Sequence, residues 1–117
     1  MNFKNILVFF TAIAISSGCT AENKVDDFHA VCDYFGELKA STNLTEMNHE
    51  QRNDFIMERI LTNLPETSNA RVAWEAISAA DSAERYGLFK YAADSIQDTD
   101  WKCEPMKELA GSAGVFE

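Results

Sequence analysis

The chain of 117 residues is acidic, with 10 basic against 19 acidic residues and a formal net charge of −9 at pH 7. This charge repels nucleic acid and anionic lipid headgroups and argues against both as partners, whereas a basic protein partner is compatible with it. The length is that of one domain with a single modest hydrophobic core.

The N-terminal segment has the three parts of a secretory signal peptide. Lys4 gives it a positive charge, the ten uncharged residues ILVFFTAIAI follow, and small residues come next. The uncharged run is too short to cross a bilayer, which takes roughly 20 apolar residues. We therefore expect residues 1–18 to be a leader that is removed on export.

The end of this segment, Ile15 to Cys19, reads ISSGC and resembles the lipobox of bacterial lipoproteins, with Ser16 at a position where leucine is favoured. The resemblance implies lipidation of Cys19, and Thr20 after it implies sorting to the outer membrane, facing the periplasm. The membrane contact would then be the lipid on Cys19. Two alternatives remain open. Cleavage after Ala21 gives a soluble periplasmic or secreted protein, and an uncleaved leader gives a short N-terminal anchor.

Cysteine usage also favours export. Of the three cysteines, both cleavage routes remove Cys19 from the thiol count and leave Cys32 and Cys103, which are 71 positions apart. An oxidising compartment favours a disulfide between them, which would join the first helix to the last. The alternative is two buried free thiols. No CxxC pair is present, which argues against zinc and haem attachment.

Helical periodicity predicts an all-α fold throughout the exported part. We expect residues 19–117 to form a single compact domain of four main helices plus a short C-terminal helix. The predicted helices are 22–39, 48–64, 68–80, 82–97 and 104–110. Their predicted inner faces contain Val25, Phe28, Val31, Cys32, Phe35 and Leu38, then Phe55, Ile56, Ile60, Leu61 and Leu64, then Val72, Trp74, Ala76 and Ile77, then Tyr86, Leu88, Phe89, Ala92, Ala93 and Ile96. Trp74 and Trp101 are expected to anchor the core.

Residues typical of helix ends flank these segments. Asn48 with Gln51 and Asp81 with Glu84 have the form of a capping box. The other expected end residues are Ser68 as an N-cap, Pro65 and Pro105 at a helix end and start, and Gly111 after the last helix. We expect the final residues, SAGVFE, to fray.

One candidate metal site lies on the first predicted helix. Asp26, His29, Asp33 and Glu37 follow one another at spacings of three, four and four, so they line one side of the helix. Histidine and carboxylate side chains are ligands of divalent metal ions, so these residues supply part of such a site. A single helix cannot complete such a site, and no Glu-x-x-His motif supplies the other half. We therefore favour a solvated acidic face, with no catalytic residue, no metal and no cofactor.

Two further stretches contain residue types that are found in metal-binding or catalytic sites. Asp94, Asp98, Asp100 and Glu104 concentrate acid, but Asp98-Thr99-Asp100 lacks the remaining ligands and the glycine of a calcium loop. We interpret it as the turn that ends a helix. The stretch AGSAG, residues 110–114, matches neither a nucleophile elbow nor a phosphate loop. We interpret it as a helix stop followed by the tail.

The exported part resembles small exported helical proteins of Gram-negative bacteria through SNARVAWEAISAA, RYGLFKYAAD and WKCEPMKEL. This resemblance implies compartment and helicity and transfers no functional residue. The favoured hypothesis is a non-catalytic, lipid-anchored cell-envelope protein that binds another protein, for instance an inhibitor or an immunity protein against a secreted effector. The alternatives are a periplasmic metal-binding protein or small enzyme that uses the His29 face, and a structural envelope protein without a specific ligand.

Overall fold

Five α-helices and three short 3₁₀ turns make up the part of the chain that the computed structural model describes, residues 27–97 and 99–116. Helix α1 is described over residues 27–39. The others are α2 (His49–Asn63), α3 (Asn69–Ile77), α4 (Arg85–Gln97) and α5 (Glu104–Leu109). The 3₁₀ turns are Leu44–Glu46, Ser82–Glu84 and Ala110–Ser112. These ranges contain no strand, and the predicted all-α fold is confirmed.

The predicted leader, residues 1–18, and the lipidation candidate Cys19 lie outside the described residues, as does the start of the first predicted helix. Across residues 27–97 and 99–116, no helix combines the length and the apolar character that crossing a membrane requires.

Two of the predicted helix starts are confirmed. The Asn48 side chain accepts a hydrogen bond from the Gln51 amide, and the Gln51 side chain accepts one from the Asn48 amide, which completes the capping box of α2. Ser68 caps α3 by accepting a hydrogen bond from the Arg71 amide. Each bond satisfies an amide that the helix itself leaves without a partner.

Three predicted boundaries are wrong because the chain tightens into 3₁₀ geometry. Helix α3 ends at Ile77 rather than at residue 80, since the amides of Ala79 and Ala80 bond three residues back. Asp81 makes no side-chain cap, because the turn Ser82–Glu84 precedes α4. Gly111 does not stop α5; it lies within the last 3₁₀ turn, so this segment runs on past its predicted end.

The core is organised around Trp74, which is fully buried, as predicted. Its ring meets Phe35 of α1 at 5.2 Å and Phe89 of α4 at 6.1 Å, both edge to face. Its indole N–H donates to Asn53 Oδ1 of α2 at 3.1 Å. Trp101 is also buried and packs 5.4 Å from Phe89. A single side chain of α3 therefore contacts three other helices, with aromatic geometry that is favourable beyond area burial.

Several residues predicted for the inner faces lie at the surface instead. The exposed fractions are 52% for Leu61, 53% for Val72, 41% for Leu88 and 52% for Ile96, and Ala76 is exposed as well. The prediction is wrong at these positions because the apolar residues of α2, α3 and α4 extend beyond the side that each helix buries. Most of these exposed apolar residues lie on α3 and α4, which pack against each other.

Candidate functional site

The predicted disulfide between Cys32 and Cys103 is present, with Cα atoms 5.7 Å apart. Cys32 lies in α1, and Cys103 is the N-cap residue of α5. A second link between the same helices is the ion pair of Lys39 with Glu108, 3.0 Å apart at the surface. The disulfide therefore joins the last helix to the first, as the cysteine spacing indicated.

The candidate metal residues of α1 do not converge in the described structure. His29 Nε2 and Asp33 Oδ1 are 3.6 Å apart, and both side chains are exposed. Glu37 is engaged elsewhere, since its carboxylate accepts a hydrogen bond from Arg59 Nε at 2.6 Å. Asp26 lies outside the described residues. Within the described residues no three histidine, cysteine, aspartate or glutamate side chains are placed to hold one metal ion.

The acidic cluster at the end of α4 is built around a lysine. Lys90 Nζ donates to Asp94 Oδ2 at 2.9 Å, to Asp100 Oδ1 at 2.7 Å and to the Trp101 carbonyl at 2.9 Å. Asp94 Oδ1 accepts the Trp101 amide at 2.6 Å. Hydrogen bonding to the carboxylates, that of Asp100 foremost, raises the pKa of Lys90, and the same bonds lower the pKa of Asp94 and of Asp100. This arrangement ties the segment after α4 back onto the helix.

The remaining residues of the acidic stretch and of AGSAG are Asp98, Glu104 and Ser112. Asp98 lies outside the described residues. Glu104 is exposed in the first turn of α5. Ser112 is held structurally, since its hydroxyl donates to the Leu109 carbonyl at 3.0 Å and accepts from Arg52 Nη1 at 2.6 Å.

Replacing Lys90 by methionine is expected to raise the pKa of Asp94 and of Asp100 toward the ordinary carboxyl value of 3.8. A lowered folded-state pKa stabilises the fold above the ordinary value, and that contribution is lost as pH falls through the folded-state pKa. The variant should therefore lose less stability than the wild type between pH 5 and strongly acidic pH. NMR titration of the carboxyl carbons, with urea unfolding at each pH, measures both effects.

The matched control is Lys102→Met, because among the described carboxylates Lys102 pairs with Asp100, at 3.5 Å, and not with Asp94. It should leave the pKa of Asp94 unchanged. An unchanged pKa of Asp94 in Lys90→Met as well would contradict the arrangement.

A fully buried arginine, Arg85, occupies the first position of α4. Its Nε donates to the Ala80 carbonyl at 3.1 Å. Its Nη1 donates to the carbonyls of Ala110 and Gly111, each at 3.2 Å, and its Nη2 donates to the carbonyl of Phe116. Main-chain oxygens from three parts of the chain therefore converge on one guanidinium. Burial lowers the pKa of Arg85, although arginine stays charged at any ordinary pH.

The C-terminal tail is docked through residue 116, and the expectation that it frays is wrong. The Gly114 amide donates to the His49 carbonyl at 3.3 Å, and the Val115 amide donates to the Ser78 carbonyl at 2.9 Å. Gly114 is buried directly against the Arg85 guanidinium, where a Cβ atom would overlap it. The sequence signal for this contact is the position of Arg85 four and eight residues before the buried Phe89 and Ala93.

Helix α4 presents an uncharged apolar surface to solvent. We call it the α4 outer face and define it as Leu88, Tyr91, Ala92, Ser95 and Ile96. At 3.6 residues per turn these five positions fall within about 140° of arc. Tyr91 is 72% exposed, and Leu88 and Ile96 are about half exposed. An outward helix surface is ordinarily charged or polar, and the apolar character of this one is the feature that sequence reasoning missed.

The surface charge is unbalanced. Seven of the eight lysine and arginine residues in the described ranges bond to a carboxylate, a carbonyl or a hydroxyl; they are Lys39, Arg52, Arg59, Arg71, Arg85, Lys90 and Lys102. Eight carboxylates of the same ranges lie in no ion pair with a described lysine, arginine or histidine; they are Asp27, Glu46, Glu50, Asp54, Glu66, Asp81, Glu84 and Glu104. The outward-facing charge is therefore mainly negative.

Three shallow clefts of about 160, 260 and 270 Å³ are lined by described residues. They are lined respectively by Asp27, Pro65, Thr67, Ser68 and Asn69, by Glu58, Arg59, Thr62 and Asn63, and by Asn48, His49, Glu50 and Val115. None of these three linings combines a histidine with a serine or cysteine nucleophile, which is the pairing that nucleophilic catalysis uses.

No protein family, no curated protein and no solved structure matches this chain.

Proposed function

We propose that the protein is an exported, lipid-anchored protein of the bacterial cell envelope that binds a basic partner protein and performs no catalysis. The observation that carries this proposal is the unbalanced surface charge. Most of the described lysine and arginine side chains make contacts within the molecule, whereas eight carboxylates lie in no ion pair with a described cation, and seven of these eight are exposed. Complementary charge steers association and selects partners.

The disulfide supports the compartment in this proposal. Disulfides persist in oxidising compartments such as the periplasm and are rare in the cytosol. The bond between Cys32 and Cys103 therefore favours export, which agrees with the signal-like segment before Cys19. In the proposal, Cys19 carries the lipid, the protein faces the periplasm from the outer membrane, and the partner is reached within the envelope.

The residues with shifted pKa values support a binding role over a catalytic one, because their contacts are structural. Among the residues that the structure describes, the titratable side chains with shifted pKa values are Tyr34, Arg85, Lys90, Asp94 and Asp100. Of these, Arg85, Lys90, Asp94 and Asp100 hold the chain ends and the turn after α4 in place. Their contacts account for them structurally, so the proposal assigns none of them to chemistry.

The proposal is tested by capturing envelope proteins with the full-length chain, expressed with its own leader and purified with its disulfide intact. We expect a partner that is retained at 50 mM NaCl and released at 500 mM, because exposed charges are screened at high salt. The intact mass of the purified protein should show cleavage before Cys19, added acyl chains and the two-hydrogen deficit of the disulfide.

The control replaces three unpaired carboxylates together, as Glu46→Gln, Glu50→Gln and Asp54→Asn. This variant should fold normally, because these side chains are exposed, and should retain less of the partner at 50 mM NaCl. A capture that is indifferent to salt and to these substitutions would reject the proposal. So would recovery of the unprocessed chain from the cytoplasm with Cys32 and Cys103 as free thiols.

A further inference from the structure

We propose that the α4 outer face is the surface on which the partner docks, and that the partner presents an apolar helix or groove bordered by lysine and arginine. This inference rests on the proposed function and gives it a location. It follows from three observations: the exposure of the apolar side chains, the absence of charge among them, and the charges at their borders.

The fold does not require large apolar side chains on this surface. The buried side of α4 is already filled by Phe89 and Ala93, which are fully enclosed. Leu88, Tyr91 and Ile96 nevertheless project into solvent from neighbouring turns of the same helix. Single exposed apolar residues need no explanation, but a contiguous group on one face marks an interaction site. An apolar centre with tyrosine and without charge is also the composition of the buried centre of protein interfaces.

The exposed charged residues in the turn before α4 are negative, and α4 itself exposes no unpaired cation. Asp81 and Glu84 precede the helix, are exposed and lie in no ion pair with a described lysine or arginine. Lys90, the one lysine of α4, is already bound to Asp94 and Asp100. The helix therefore offers a partner no free positive charge between its first and last residues, and basic residues around an apolar centre would complement it.

The same charges argue against two other occupants. A second copy of the chain would bring two molecules of net charge −9 together, and an anionic lipid surface would be repelled likewise. The size of the face points the same way. A 13-residue helix is about 20 Å long, which suits one helix lying against another or in a groove. A strip of that length and about 10 Å wide covers less than the roughly 800 Å² per partner of a standard stable interface, so we expect the attraction between charges to contribute measurably to binding.

The first test places a photo-reactive p-benzoyl-phenylalanine at position 91 of the full-length chain in its native cells. The matched control carries the same group in place of Leu61, which is about half exposed on α2. We expect an adduct with one envelope protein from position 91 and not from position 61. The cross-linked peptide, sequenced by mass spectrometry, should be apolar with flanking lysine or arginine.

The second test is substitution without loss of the fold. Leu88→Gln together with Ile96→Gln should weaken capture of that protein by about tenfold or more, the effect of losing central interface side chains. Leu61→Gln together with Val72→Gln should leave capture unchanged. Thermal unfolding should be little altered in either double variant, because all four side chains are about half exposed.

The possible failures are distinguishable. An adduct of twice the chain's mass, an adduct with lipid, or no adduct at position 91 would overturn the assignment of the α4 outer face. Equal weakening by both double variants would overturn it as well. Salt-sensitive capture that survives Leu88→Gln with Ile96→Gln would overturn this inference and leave the proposed function standing, whereas salt-insensitive capture would remove both.

Discussion

Breaking the disulfide between Cys32 and Cys103 is expected to lower the free energy of unfolding by about 4 kcal/mol. The bond closes a loop of 71 positions and so restricts the unfolded chain far more than a short cross-link would. Domains of this size are stable by only about 5–15 kcal/mol, so the reduced protein should lose a large share of its stability. Urea denaturation of wild type and Cys32→Ala with Cys103→Ala, each followed by circular dichroism, measures the difference.

The matched control removes the other link between α1 and α5. Lys39→Met breaks the exposed ion pair with Glu108 and should cost about 0–1 kcal/mol. When the wild type is treated with a reductant, its free energy of unfolding should approach that of the double alanine variant. A loss of less than about 1 kcal/mol in the double variant would mean that packing alone keeps Cys32 and Cys103 together and that the unfolded chain is already compact.

Much of the fold is local in origin, which is why the sequence predicts it well. Asn48 and Gln51 are three residues apart, and their reciprocal hydrogen bonds need only a helix start. The pairing of Cys32 with Cys103 is a matter of counting thiols once Cys19 is assigned to the leader. Trp74 has a large apolar side chain, so its burial in the core of an α-helical bundle can be predicted from the sequence.

The exposed apolar residues could not be predicted, because periodicity does not say which part of a wide apolar stripe is buried. Helix α4 is apolar on two sides, and Phe89 and Ala93 lie in the interior because their side of the helix packs against α3, Phe28 of α1 and Trp101. Leu88 and Ile96 satisfy the same spacing rule and remain outside. The α4 outer face is therefore visible only as the difference between the apolar pattern and the observed burial.

The candidate metal face illustrates the same limit at the level of charge. The spacing correctly placed His29 near Asp33, one helical turn away. It could not foresee that Glu37 would bond to Arg59, 22 positions along the chain, with Arg59 lying over the ring of Phe55 at 3.5 Å. Contacts between helices redistribute carboxylates that the spacing along a single helix predicts to be aligned.

Replacing Arg85 by leucine is expected to release the tail and to lower the free energy of unfolding by about 3 kcal/mol. Four main-chain carbonyls, those of Ala80, Ala110, Gly111 and Phe116, would lose their donor. The loss stays below the sum for four unsatisfied groups, because removing a buried charge recovers part of the cost of desolvating it. Hydrogen exchange at the Gly114 and Val115 amides should become fast, while the amides of α2 keep their protection.

A glycine substitution reaches the same contact without touching the charge. Gly114→Ala places a Cβ atom where the Arg85 guanidinium lies, so the tail should detach and exchange as fast as in Arg85→Leu. Gly87→Ala is the matched control: nothing lies within 4 Å of a Cβ there, and within α4 alanine should stabilise the helix by up to about 1 kcal/mol. Preserved protection of the Val115 amide in Gly114→Ala would place the holding force in the bonds to His49 and Ser78 instead. Rapid exchange in both tail variants would mean that the contact with the Arg85 guanidinium fixes the chain end, and with it the outward position of Val115 and Phe116.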